Sequence, residues 1–130
     1  MTTILDTSVL VRHLTGDPPA QARRATSYLR SATDMVLLDV VLAELMFVLK
    51  SFYEKPRAEA ANAARSAIAM TGVRVMDIDL LHRAIELYER GPLSFVDAYK
   101  VATAETWGIE TVTSFDKDFE RVTSVTRIEP

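Results

Sequence analysis

Four acidic residues stand where a carboxylate has an unusual address: Asp6, Glu44, Asp97 and Asp116. Asp6 comes directly after the apolar pair Ile4-Leu5. Asp116 follows the β-like run ending at Thr113 through the short link Ser114-Phe115. Asp97 falls in the first turn of a helix that Ser94 opens. Glu44 lies about one turn into Val40–Leu49, and its neighbours at helical spacing are Val40, Val41, Phe47 and Val48. A carboxylate among such neighbours is expected to lose water and to need a partner, a proton or a metal.

Each acid also has an ordinary explanation. Asp6 fits a helix N-cap or an Asx-turn. Ser94-Phe95-Val96-Asp97 has the form of a capping box with aspartate in place of glutamate. Asp116 and Asp118 fit a solvated turn, and Glu44 fits an acid at the core's edge bonded to an arginine. Asp97, Val101 and Ala104 share a helix face that should look inward, which takes Asp97 out of bulk water. Asp39, Asp77 and Asp79 also follow strand candidates. They read as caps, Asp39 for the helix bearing Glu44 and Asp79 for a later one.

Carboxylates gathered in one pocket repel one another and require cations or raised pKa values. Hard oxygen ligands favour Mg²⁺ or Mn²⁺ over Zn²⁺. The chain has no cysteine and two isolated histidines, His13 and His82, which read as structural residues. A dication held at such a site can activate a bound water and neutralise charge on an anionic substrate. The hydroxyls of Thr7, Ser8, Thr113 and Ser114 stand beside the acids and could orient them, with Asp118 as a further candidate. Arg12 and Lys100 could contact phosphate, or simply be solvated.

The positioning elements follow from the hydrophobic pattern. Strand candidates are Thr2–Leu5, Met35–Leu38, Val73–Met76, Glu110–Thr113 and Ser124–Ile128. Helices are expected from Ser8 to Leu14, from Ala20 through Ala22, Ala25, Leu29 and Ala32, and from Val40 to Phe52. Others should run from Pro56 to about Met70, from Asp79 with Leu80, Leu81, Ala84, Leu87 and Tyr88 on one face, and from Ser94 to Trp107, closed by Gly108. Ser114–Arg121 reads as a polar loop or short helix. The Val40–Phe52 helix has almost no polar face before Lys50 and should be mostly buried. Strands separated by helices predict an α/β domain with a mainly parallel sheet, its short strands buried on both faces. In such sheets ligands bind beyond the carboxyl ends of the strands, where these acids fall.

The bulk numbers narrow the field. At 130 residues the chain suits a single domain, residues 1–130. Hydrophobic residues make up 48% and charged residues 25%, an ordinary balance for a globular protein. No apolar run is long enough to span a bilayer, and the opening residues lack a signal-peptide pattern, so a cytoplasmic location is expected. The net charge of −3 is unlike that of a protein that grips nucleic acid through phosphates alone. Either nucleic acid is not the partner, or a metal ion supplies local positive charge. There is no glycine-rich phosphate loop and no Gly-x-Ser-x-Gly elbow.

Three blocks carry a family resemblance: Ile4-Leu5-Asp6-Thr7-Ser8-Val9-Leu10, Ser94-Phe95-Val96-Asp97-Ala98 and Thr113-Ser114-Phe115-Asp116-Lys117-Asp118-Phe119. With Val41-Leu42-Ala43-Glu44 as a weaker fourth, they resemble, in order, the motifs of the PIN-domain family, and within it the VapC-type toxins of bacterial toxin–antitoxin pairs. Ser8 stands where many relatives have asparagine. The resemblance implies a five-stranded parallel sheet of order 3-2-1-4-5 flanked by helices, and Mg²⁺- or Mn²⁺-dependent endoribonuclease activity. It implies a site of Asp6, Glu44, Asp97 and Asp116, with Asp116 favoured over Asp118. It also implies a homodimer, and a cognate antitoxin whose C-terminal segment blocks the pocket. Three rivals stand beside it. One is a phospho-receiver-like signalling module, although Asp77 is a poor phospho-acceptor candidate and Lys117 lies between two acids. The others are a non-catalytic PIN-type RNA-binding or scaffold domain, and a metal-dependent DNA nuclease.

Overall fold

A computed structural model describes all of residues 1–130. By internal contact the chain forms two compact units, Met1–Met76 and Asp77–Pro130.

The first unit runs β1 (Thr3–Ile4), α1 (Thr7–Thr15), α2 (Pro19–Ser31), β2 (Met35–Val36), α3 (Asp39–Ser51), α4 (Arg57–Ile68) and β3 (Val73–Arg74). Asp6 caps the start of α1, and Gly16 ends it in the left-handed conformation at φ 73°. Proline opens α2 at its first position, where a missing N–H costs nothing. The three strands form one parallel sheet in the order β1-β2-β3, with Thr3 opposite Met35 and Met35 opposite Val73. Asp34, just before β2, accepts from Thr2 Oγ1, just before β1, and from Arg74 Nε and Nη2 of β3. Parallel pairing sends the carboxyl ends of β1 and β2 the same way, which fixes where α1 and α3 begin. Gly72 allows the close approach that leads into β3, since a Cβ there would fall against the Ala32 carbonyl.

Two expectations fail in this unit. Helix α3 buries Val41, Leu42, Leu45, Met46 and Leu49, yet Val40, Phe47 and Phe52 are 60%, 69% and 75% exposed. It packs on α1 and α4, and a helix covered from those neighbours buries a stripe rather than its whole surface. Asp39 is not its cap. Leu38 holds that position without a side-chain bond, and Asp39 acts in the first turn, where a negative charge suits the helix dipole.

The second unit runs α5 (Ile78–Arg90), α6 (Phe95–Trp107), β4 (Thr111–Thr113), a 3₁₀ turn (Lys117–Arg121) and β5 (Thr126–Ile128). Asp77, rather than Asp79, caps α5, its Oδ1 accepting from Leu80 N at 3.0 Å. Helices α5 and α6 pack together, and Leu81, Ala84 and Ile85 of the first and Ala98, Val101 and Ala102 of the second are all buried. Tyr88 and Phe95 meet edge-on at 6.4 Å. Arg83 Nε bonds both oxygens of Glu105 at 2.8 and 3.0 Å, which clamps the two helices and raises the guanidinium's pKa. Strand β5 runs parallel to β4, with Thr111 opposite Thr126.

The fold is α/β, with parallel strands and flanking helices, as the alternating pattern predicts. Within the two units the strands pair as β1-β2-β3 and β4-β5, the neighbours that the order 3-2-1-4-5 gives them there. The strands are not buried on both faces. Ile4 is 63% exposed, and β4 and β5 each shield only their middle residue. Strands of two or three residues offer few side chains to bury, so the helices supply most of the core.

Candidate active site

Asp6 leaves the end of β1 and turns the chain into α1. Its Oδ2 accepts from Ser8 Oγ at 2.7 Å and Ser8 N at 3.1 Å. Those bonds, the hydroxyl's first, hold its pKa below the usual aspartate range, with Arg12 adding a smaller pull against slight desolvation. The capping explanation for Asp6 is therefore correct, and it leaves an exposed, ionised carboxylate.

Glu44 reaches the same strand ends from α3. Thr7 is the one buried polar residue, and its Oγ1 donates to Glu44 Oε2 at 2.9 Å. Asp6 and Glu44 are thus joined through a single residue. The expected desolvation of Glu44 does not occur. Glu44 is exposed, because Val40 and Phe47, which should have shielded it, are exposed themselves.

In the second unit, Ser94 caps α6 by accepting from Asp97 N at 3.1 Å. The bond uses the Asp97 backbone and leaves its carboxylate for other work. That side chain is 18% exposed and faces Lys100 Nζ at 3.4 Å. Val101 and Ala104, on the same face, are buried, so the inward orientation holds. Asp116 begins the 3₁₀ turn after β4. Its Oδ1 accepts from Asp118 N at 2.8 Å, and its own N–H donates to Ser114 Oγ at 2.9 Å. Asp118 points toward Arg121 at 3.9 Å. Thr113 is an exposed residue of β4.

All the oxygen donors here are carboxylate or hydroxyl groups, a set that suits a hard dication. Neither unit by itself gathers three or more histidine, cysteine, aspartate or glutamate side chains into a metal-ligating group. His13 bonds Thr26 through Nδ1 at 2.8 Å, a structural role, and His82 is exposed on α5.

Of the two cations expected near phosphate, Lys100 is engaged by Asp97, while Arg12 donates to the Ser8 carbonyl at 3.1 Å and to the side chain of Gln21. Arg12 lines a cleft with Gln21, Arg24 and Tyr28, three residues that reading the sequence for acids passes over. Their spacing marks one face of α2. Only the packing of α2 on α1 brings that face beside Ser8.

The PIN domain family matches the chain over residues 3–125. Among solved structures, the chain resembles VapC20 of Mycobacterium tuberculosis, described as a sarcin–ricin-loop-cleaving toxin. The identity is 27%, the TM-score 0.46, and the match covers 95% of this chain and 97% of that one. VapBC2 from Rickettsia felis, bound to a DNA fragment from its promoter, aligns with 15% identity and a TM-score of 0.39, covering 99% and 98% of the two chains. No curated protein matches.

Proposed function

The chain belongs to the PIN-domain family, and from that membership we infer that it is a Mg²⁺- or Mn²⁺-dependent endoribonuclease, the toxin of a toxin–antitoxin pair. The family match runs across both compact units, so the reading takes residues 1–130 as one nuclease domain. The observation that carries it is the join at the strand ends, where an ionised Asp6 is followed by a buried Thr7 that holds Glu44.

Asp6, Glu44, Asp97 and Asp116 are the proposed metal ligands. They would hold a dication, which would supply activation of a water and charge neutralisation at the scissile phosphate. The protein's own part is to keep the ligands charged and aimed. Ser8 orients the Asp6 carboxylate through two hydrogen bonds to Oδ2. Thr7 fixes Oε2 of Glu44 and leaves Oε1 to turn outward. The Asp118 amide occupies one oxygen of Asp116 and leaves the other. Lys100 supplies Asp97 with a counter-charge that can yield to a stronger cation. Ser114 orients the Asp116 turn rather than its carboxylate, and Thr113 is left as a hydroxyl near the end of β4.

The same reading makes RNA the substrate, an antitoxin the partner that silences the site, a homodimer the assembly and the cytoplasm the location. No helix of the chain is long and apolar enough to cross a membrane. Purified protein should cut RNA oligonucleotides in Mn²⁺, leave DNA of matched sequence intact, and stop in chelator. Asp97→Asn should abolish cutting with the circular dichroism spectrum unchanged. An active Asp97→Asn protein, or a parent that cuts nothing under any divalent ion, would overturn the reading.

A further inference from the structure

The α1–α2 hairpin has a charge opposite to that of the chain as a whole. Residues 7–31 hold four arginines, Arg12, Arg23, Arg24 and Arg30, against the single acid Asp17, in a chain of net charge −3. Buried Ala22, Ala25 and Leu29 form the inner stripe of α2 and leave a row of side chains on either side. Gln21, Arg24 and Tyr28 form one row, and face Ser8 and Arg12 across a cleft of about 500 Å³. Arg23 and Arg30, with Thr26, form the other and border His13.

The first row is built to hold an anion next to a flat ring. The Arg12 guanidinium is fixed by the Ser8 carbonyl and by Gln21, which leaves its second terminal nitrogen uncommitted. Arg24 has no carboxylate partner, whereas Arg74, Arg83, Arg90 and Arg127 are each paired with one. Tyr28 is 48% exposed at the cleft wall. Ser8, on the opposite wall, donates to Asp6. The cleft therefore abuts a proposed metal ligand. Guanidinium groups suit phosphate, and an exposed tyrosine face suits an unstacked base.

We propose that this cleft binds one nucleotide of single-stranded RNA beside the phosphate being cut, with Arg24 and Arg12 on a phosphate and Tyr28 stacked on a base. The proposal rests on the ribonuclease reading. It also accounts for how an acidic chain engages a polyanion, because the local field comes from the hairpin and not from the net charge.

The test measures anisotropy of a short fluorescein-labelled oligoadenylate titrated with full-length protein in chelator, where nothing is cut. Tyr28→Ala should weaken binding about fivefold or more, and Tyr28→Phe should restore it. Arg24→Gln should weaken binding and lower the slope of log affinity against log salt by about 0.7, the value for one phosphate contact on a single strand. Arg23→Gln, with the same charge change on the other row, is the control and should bind nearly as the parent does. Equal losses for Arg23→Gln and Arg24→Gln, an unaltered Tyr28→Ala, or displacement of the RNA by polyglutamate as readily as by unlabelled RNA would overturn the proposal. Cleavage in Mn²⁺ is scored separately. A parent that cuts RNA while Tyr28→Ala binds normally refutes the cleft alone. A parent that binds through the cleft yet cuts nothing refutes the nuclease reading alone.

Discussion

Replacing Thr7 by valine removes one hydroxyl and almost no volume. Thr7 is 8% exposed, and its Oγ1 reaches Glu44 Oε2 at 2.9 Å. A hydrogen bond to a charged acceptor contributes about 1.5–3 kcal/mol. Glu44 is exposed, so water takes over the lost donor and most of that figure is recovered. The valine methyl also loses no burial. The net cost to folding should therefore be about 1 kcal/mol, or about 3–5 °C in Tm for a chain of this size. Water cannot hold the carboxylate in one orientation, however, and groups that orient a metal ligand typically contribute 10–100-fold to metal affinity or activity. The Mn²⁺ concentration giving half-maximal RNA cleavage should rise by about that factor, with the rise in Tm on adding Mn²⁺ reduced in parallel. Thr7→Ser keeps the hydroxyl and should restore both. A Thr7→Val protein with the parent's Mn²⁺ dependence would refute the positioning role. So would a Thr7→Ser protein as impaired as Thr7→Val.

Two further outcomes separate structure from chemistry. Asp6 both caps α1 and, in the proposed site, binds metal. Asp6→Asn should melt no lower than the parent in chelator because asparagine caps equally well, while Asp6→Ala should lose about 1 kcal/mol. Both should abolish cleavage, and a cutting asparagine variant would remove Asp6 from the metal shell. Asp34, at the opposite end of the first sheet, has its pKa lowered by the Thr2 hydroxyl first and by Arg74 next. A depressed folded-state pKa stabilises above the unfolded value, and that contribution is lost as pH falls through the folded one. The Tm difference between parent and Asp34→Asn should therefore shrink below about pH 4 and be flat above about pH 5. A constant difference across that range would show that the Thr2–Asp34–Arg74 link contributes nothing in solution.

Asp6 and Ser94 as caps and Gly108 as a left-handed helix end at φ 69° depend on neighbours within a few residues, so the sequence states them directly. The buried stripes of α2 and α6 follow from periodicity for the same reason. Sequence alone cannot separate Asp77 from Asp79 as the cap of α5, because the two are chemically equivalent and only backbone geometry chooses between them. Glu44 shows a deeper limit. Its apolar neighbours along α3 predicted desolvation, but burial depends on what another element lays over a helix face, and nothing covers Val40 and Phe47.

Local chemistry and order along the chain fix the α/β alternation, the ends of α1 and α6, and the motif set Asp6, Glu44, Asp97 and Asp116 that marks the family. Tertiary structure decided which side chains meet. Thr7 bonds Glu44 across 37 positions, and Arg24 and Tyr28 come to share a cleft with Ser8 and Arg12. Those contacts exist because parallel pairing aligns β1 with β2 and because α2 packs on α1 through Ala22, Ala25 and Leu29. Such distances are set by packing, which no spacing rule encodes.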